Sequence, residues 1–353
     1  MAFGLVVLTD GTRADDLLGA SRVEVVERIG APTTFALRYP VFNVEGDLEP
    51  LKALSFAPGA DLAVFQRATG FNECLVKGQV YSHQVRLVHG VGGSYVDVVG
   101  ADSSLQMDRE TKLMQWADNT TDSDAVTNIV SSYGFVPEVE TTETRYLEDN
   151  RTLIQHDTDL NFVHMLARRN GYLFWVRSDP ALVETAYFQP PPLEEAEPIE
   201  LLINVENSTL DWLNIDWDVE RPTSVLASAL DGAAKTVIDG SGAPPPPTFP
   251  GDQPLSAIAG EARSASLVAA VTDQGDLLGR ATGLLLDASW FITATCATSA
   301  RRLNRIVRAH TVVKVDGAGK RYSGNYLVAA VRHVIDEHDH TMEITLLRNG
   351  WPE

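Results

Sequence analysis

Cysteine is nearly absent, with two residues in 353, Cys74 and Cys296. Their spacing fits no disulfide framework or zinc pattern, and both sit in apolar, strand-like runs (Cys74-Leu75-Val76 and Ala294-Thr295-Cys296). Buried free thiols are expected, and no oxidising compartment is needed. No apolar run approaches the roughly 20 residues of a membrane-spanning helix, so no membrane anchor is expected. Met1 to Leu8 is apolar but short, lacks a basic flank and meets Asp10-Gly11-Thr12-Arg13 at once. It does not read as a signal peptide, which leads to an expectation of folding in the cytoplasm. Basic residues are scarce too: 28 Lys and Arg face 48 Asp and Glu, a formal net charge of -20. Stable nucleic-acid binding needs clustered cations and is not expected. No Lys or Arg lies between Arg177 and Arg221, whereas Arg301, Arg302, Arg305 and Arg308 crowd together. Solvated faces would explain this asymmetry, and so would complementary surfaces on neighbouring subunits.

Catalytic signatures are missing as well. There is no Gly-x-Ser-x-Gly elbow, phosphate-cradling glycine loop or His-Glu-x-x-His, and Gly90-Val91-Gly92-Gly93 reads as a turn. Neither a catalytic residue nor a cofactor is assigned. The richest polar cluster is His333, His338, Asp339 and His340. Alternation along a strand would put His338 and His340 on one face, joined by His333 as metal ligands with Asp336 or Asp339 nearby. A polar, solvent-exposed turn is the plainer alternative. Asp157 and Asp159, with Glu148 and Asp149 upstream, resemble a carboxylate pair for glycoside hydrolysis, but fit better as acids at a helix start. Arg168-Arg169 would complement the carbonyls at the end of that helix. A cell-envelope hydrolase or peptidase is the rival functional class, and a glycan-binding module using Trp212 and Trp217 a weaker one.

What is present is mostly strand. Thr34 to Tyr39, Asp61 to Arg67, Cys74 to Leu87 and Ser94 to Asp102 are rich in Val, Leu, Phe and Tyr, punctuated by Gly, Asn and Asp. Broken alternation in the third run points to a bulge near Gly78 or a face turned to a partner. Then the period changes. Asn119 to Asp122 offers caps for a helix ending at Gly134, and a second helix runs from Asp157 or Thr158 to Asn170, closed by Gly171. Strand-like pieces return at Leu201 to Val205, Leu210 to Val219 and Ser224 to Leu230, with Trp212 and Trp217 read as packing aromatics. Pro244 to Pro247, with Pro250 and Pro254, favours an exposed polyproline II spacer, or less readily a docking peptide. A third helix is expected over Asp276 to Ala288. The last segment is a hairpin array: His310 to Val315, the turn Asp316-Gly317-Ala318-Gly319, Gly324 to His333, and Thr341 to Arg348.

Ala60 to Asp102 and Ala309 to Gly350 share one layout, with Gly78-Gln79-Val80-Tyr81 matching Gly324-Asn325-Tyr326-Leu327. Two similar β-domains per chain follow, and three chains would present six such surfaces. The expected fold class is α+β, mostly β: two small tube-like β-barrel domains, an inserted α+β domain and a Pro-rich spacer. The expected division is 1–105, first barrel; 106–180, insertion; 181–239, strands of the second domain; 240–256, linker; 257–353, helix and closing strands.

The run Gln155-His156-Asp157-Thr158-Asp159-Leu160-Asn161-Phe162, followed by Leu166-Ala167 and Gly171-Tyr172, resembles a motif of the late control D proteins of contractile phage tails. It is similar, too, to the N-terminal hub part of type VI secretion spike proteins. Gly324, Tyr326, His333, Thr341 and Arg348 match that family's closing hairpin, which makes His333 a fold element. The resemblance implies a baseplate hub of a contractile tail or injection machine. This would be a homotrimer forming a pseudo-hexameric ring between the hexameric tail tube, or its initiator proteins, and a trimeric spike. With no spike segment before Glu353, the spike would be a separate chain; wedge proteins would surround the hub. Location would be the virion tail baseplate, or an injection particle assembled in the bacterial cytoplasm. Acidic residues lining the lumen would repel a translocated polyanion.

Overall fold

A computed structural model describes the chain apart from residues 1–4, 10–11, 14–18, 50, 52–56, 69–70, 91, 150–151, 232–234, 270, 272–273 and 353. The start of the apolar N-terminal run, Asp10-Gly11 and Val91 of the glycine turn therefore lie outside the described residues. Six strands open the fold: β1 (Leu5–Thr9), β2 (Arg22–Arg28), β3 (Ala31–Pro40), β4 (Asp61–Ala68), β5 (Phe71–Arg86) and β6 (Tyr95–Asp102). Side chains of a strand alternate between faces. Val23 and Val25, Phe35, Leu37 and Tyr39, and Val96 and Val98 are accordingly buried at every second position. β5 breaks this alternation twice. Leu75 is an extra residue against β4, and Tyr81 one against β6. The bulge expected near Gly78 is thus a pair of bulges flanking it. Gly78 is needed for a different reason: a Cβ there would lie 1.8 Å from the Ala101 carbonyl oxygen.

An α+β insertion follows. It contains β7 (Thr111–Gln115), α1 (Asp122–Ser132), β8 (Val136–Val139), β9 (Ile154–Thr158), α2 (Asp159–Asn170), β10 (Leu173–Ser178) and β11 (Glu184–Gln189). Thr121 caps α1 in a reciprocal box with Asp124, and Thr158 caps α2. Gly171 ends α2 with φ +70°, the left-handed conformation in which a side chain would be strained. The insertion has its own core, from Met107 through Phe162 and Leu166 to Phe188.

The second half brings β12 (Ile199–Leu202), β13 (Trp212–Trp217), a lobe of β14 (Ser224–Asp231), β15 (Thr236–Asp239), β16 (Ser264–Val268) and α3 (Gln274–Ser289), then β17 (Ile292–Ser299), β18 (Val312–Asp316), β19 (Gly324–Ile335) and β20 (His340–Arg348). In the lobe, Val225, Ala227 and Ala229 pack on Leu277, Ala281 and Leu285 of α3. In the proline segment Pro244, Pro245, Pro247 and Pro250 are exposed, as expected of a spacer, but the segment is anchored to the fold at its end. Phe249 is buried against Trp290, the Asn349 amide donates to the Pro247 carbonyl (2.8 Å), and Asp252 receives Arg348.

The main sheet has thirteen strands in the path β13-β17-β20-β19-β2-β3-β6-β5-β4-β1, ending in Thr12–Arg13, with β18 beside β19 and β12 beside β18. It curls, and both halves of the chain share one continuous apolar core. The fold is mostly β, as expected. Its two halves have the same topology: spatial order β2-β3-β6-β5-β4-β1 in one and β13-β17-β20-β19-β18-β12 in the other, each strand entering at the same rank along the chain. One polarity differs, since β1 is antiparallel to β4 whereas β12 is parallel to β18. β19 carries an extra residue at Ala329 against β20, as β5 carries Tyr81 against β6. Matching the two bulges pairs Val80 with Val328, so the repeat visible in sequence is real but its frame shifts by two residues from the Val80–Tyr326 match.

Candidate functional site

The histidines separate. β20 begins at His340, and His338 belongs to the preceding turn, where its backbone N–H donates to Asp336 and its ring is exposed beside Glu337. His333 and His340 are fully buried, His333 Nδ1 lying 3.0 Å from His340 Nε2. Neither the shared face of His338 and His340 nor a solvent-exposed turn holding all three describes them. Among the described residues no cluster of three or more His, Cys, Asp or Glu is arranged to hold a metal.

The buried histidines instead border a charged junction that sequence reading missed. Glu27 follows Val23 and Val25 at the core phase of β2 and is itself buried. Arg308 Nε donates to its Oε1 (2.6 Å), while the Arg308 Nη atoms donate to the carbonyls of Cys74 (2.9 Å) and Leu75 (3.0 Å). The Ala309 N–H donates to Glu27 Oε2 (2.8 Å), and Arg177 of β10 reaches the Ala309 carbonyl (2.8 Å). Four parts of the chain meet here: β2, β5, the insertion and the segment before β18. Burial pushes the Glu27 carboxyl up, but the charge and hydrogen bond of Arg308, with His333 close by (3.8 Å), hold it well below the usual carboxylate range. Burial, reinforced by His333, pushes His340 down to about 2, and burial with the neighbouring Arg177 pushes His310 down to about 3. The signal in sequence was a carboxylate at a core-phase position, which requires a buried partner.

The motif of the insertion also resolves into packing. Asp159 is buried at the start of α2 and accepts from Lys112 Nζ (2.5 Å), Gln155 Nε2 (2.7 Å) and Tyr133 Oη (2.8 Å). Asp157 is exposed and accepts from the Thr158 N–H (2.7 Å) and Asn161 Nδ2 (3.1 Å). The two carboxylates occupy different environments, and Glu148 and Asp149 are exposed. Phe162 and Leu166 are core residues, and Tyr172 packs edge-on to Phe188 (5.2 Å). Gly171 lets α2 approach α3, since its Cβ would lie 3.2 Å from Gly283 Cα. Arg169 is half-buried against Asp122 of α1, with Nε 2.7 Å from Oδ2, rather than turned to the helix-end carbonyls, leaving Arg168 exposed. In the closing hairpin Tyr326 is buried under the Arg348 guanidinium, 5.5 Å from its ring centre, and Gly324 leaves room for that same group.

Part of the charge asymmetry is met within the chain: Arg302 pairs with Asp211 (2.5 Å), and Arg305 lies 3.8 Å from Glu197, both pairs at the surface. Arg308 is the buried junction residue. On the open sheet face, Arg332 bridges Glu24 (2.8 Å) and Glu343 (2.9 Å), Arg22 reaches Glu24 (3.2 Å), and Arg38 pairs with Asp97 (2.7 Å). Trp212 and Trp217, expected as packing aromatics, are 42% and 52% exposed on the edge strand β13, and Trp217 packs against Trp351 with ring centres 5.2 Å apart.

A family model described as the Alg8 N-terminal domain matches residues 6–337. The chain belongs to the Alg8 N-terminal domain family. No curated protein matches it in sequence. This Alg8 N-terminal domain chain is similar in structure to the 43 kDa tail protein of prophage MuSo2 from Shewanella oneidensis: 13% identity, TM-score 0.67, 98% of each chain covered. A tail protein from Neisseria meningitidis MC58 gives 14% identity and TM-score 0.67 over 99% of this chain and 97% of that one. The E. coli c3393 protein, a component of the type VI secretion system, gives 12% identity and TM-score 0.60 over 98% and 79%. The fold of the Alg8 N-terminal domain chain is thus that of phage tail and type VI secretion proteins. The suspected likeness to contractile-tail proteins holds at the level of fold.

Proposed function

We propose that the chain is a structural, non-enzymatic baseplate hub of a contractile tail or injection machine, close in role to the late control D proteins. The observation that carries this reading is the repeat of one six-strand topology within a single continuous sheet. A subunit with two equivalent β units suits an adaptor: three copies offer a sixfold set of strands to a tube and a threefold set of everything else to a spike. The division into first β unit, inserted α+β domain, second β unit and proline segment belongs to this reading. So do the partners: a trimeric spike, a hexameric tube or tube-initiator ring, and surrounding wedge proteins. Its place would be the virion tail baseplate or an injection particle assembled in the cytoplasm. Gln155, Asp159, Phe162, Leu166, Gly171, Tyr172, Gly324, Tyr326 and His333 serve the fold, and Asp157 the start of α2.

If the open sheet face lines the lumen, its charges are balanced. Glu24, Glu343 and Asp97 are each paired with arginine, which makes that wall less repulsive than the net charge of -20 suggests. Mass photometry and negative-stain imaging of the chain, alone and co-expressed with its tail neighbours, test the proposal. A three-copy ring with six equivalent strand units is expected; a chain that stays monomeric in both preparations overturns it.

A further inference from the structure

The two units differ in how one strand is covered. In β19, Gly324–Leu327 pairs with β18 and Ala330–Ile335 pairs with β2, which joins the halves of the chain. In β5, Phe71–Gln79 pairs with β4, but among the described residues no strand pairs with that edge over Ser82–Arg86. The topological partner of β2 is β13, which among the described residues is an edge strand paired only with β17. The chain thus ends in two complementary halves of the contact it already makes within itself. Both carry exposed apolar side chains, Tyr81 (51%) and Val85 (44%) on β5, Trp212 (42%) and Trp217 (52%) on β13. Unpaired edges of this kind recruit another strand.

Resting on the trimeric reading above, we propose that β13 of one copy adds antiparallel to the Ser82–Arg86 edge of β5 in the next. Internal equivalence sets the register. The bulges match Val80 to Val328, and therefore Val85 to His333. Stepping across the sheet, Val80 faces Gly100, Gly100 faces Phe35, and Phe35 faces Val25; in the other unit Val328 leads through Leu346 and Ala294 to Ile215. Val25 and Ile215 are therefore equivalent. Because His333 faces Val25 within the chain, Val85 faces Ile215 between chains, with Arg86 opposite Asn214, Gln84 opposite Asp216 and His83 opposite Trp217. Arg86 then lies diagonal to Asp216, an opposite-charge pair on the open face. The contact is head-to-tail and closes a ring at three copies when the two units are related by about 60°.

Engineered cysteines test this. Opposed residues of an antiparallel pair have Cα atoms about 4.5–5.5 Å apart, inside the disulfide range of about 4.4–6.8 Å. Cys74 and Cys296 are buried and their thiols pushed to about 12 by burial, so they stay silent. R86C/N214C oxidised in the assembled protein is expected to give a linked ladder ending at trimer on a non-reducing gel. R86C/W212C, two residues out of register, should link about tenfold less. Q84C/D216C is the second in-register pair should the first not fold. Trimer by mass photometry with no preference for the in-register pairs overturns this contact and leaves the trimer standing. A wild-type chain that never leaves the monomer overturns the trimeric reading itself.

Discussion

Within the chain, the C-terminal half of β19 is sealed by β2; the matching half of β5, paired with β6 on one side, has no strand on its other edge among the described residues. The sealed junction is polar inside, with Glu27, Arg308, His333 and His340 all buried. The open edges carry Val85, Trp212 and Trp217 instead. A contact formed within one polypeptide is held at high effective concentration, so it tolerates buried charges whose desolvation nearly cancels their attraction and whose value is fixed geometry. A contact between molecules must repay lost translational freedom, and apolar burial supplies that better.

The largest effect should come from breaking the sealed side. Arg308→Ala leaves Glu27 charged and unpaired in the core and is expected to lower stability by about 3–5 kcal/mol in urea unfolding. Replacing both charges, as in E27L/R308M, should lose far less. A single variant within about 1 kcal/mol of wild type would show that the ion pair does not hold the halves together.

Acid should weaken the same junction. Glu27 is held low, so its contribution is present above its unfolded value near 4.5 and is lost as pH falls. His310 and His340, lowered to about 3 and about 2, stay neutral when folded. Stability then declines as pH drops below 6.5, where these rings take up protons only in the unfolded chain. Asp102, raised by burial to about 6, opposes this: its contribution is greatest below 3.8 and fades as pH rises through 6. Melting followed by fluorescence from pH 7 to pH 4 should show a falling Tm; a rising Tm would mean that Asp102 outweighs the junction.

The smallest effect on the chain should come from the open side. Val85→Ser is expected to change monomer stability by no more than about 0.5 kcal/mol, since the side chain is half exposed. The same variant should nonetheless reduce the trimer fraction in mass photometry, separating folding from assembly.

Much of the architecture was legible because local chemistry decides it. Thr121, Thr158 and Gly171 cap helices wherever an apolar period of the right length lies beside them. The hairpin turn at Gly317 needs a positive φ, here +82°, and its Asp-Gly step announces this. The repeat was visible through its turns, yet its frame slipped by two residues. A shift of two keeps every side chain on its own face, so hydrophobic alternation cannot detect it. The histidines were misplaced for a related reason: whether His338 belongs to a strand or a turn depends on where pairing with β19 begins. Arg169 and Arg308 looked like surface cations because nothing local distinguishes a solvated arginine from one received by an acid far away in the chain.

The sequence by itself determined a mostly β chain with capped helices, buried thiols and a doubled unit, since periodicity, turn chemistry and composition act over a few residues. Tertiary structure alone decided that Glu27 meets Arg308, that the proline segment is anchored by Phe249 and Asp252, and that one edge of the doubled unit is sealed while the other, among the described residues, stays open. Those outcomes depend on contacts between residues far apart along the chain, 96 positions for Asp252 and Arg348 and 281 for Glu27 and Arg308, which only the folded sheet brings together.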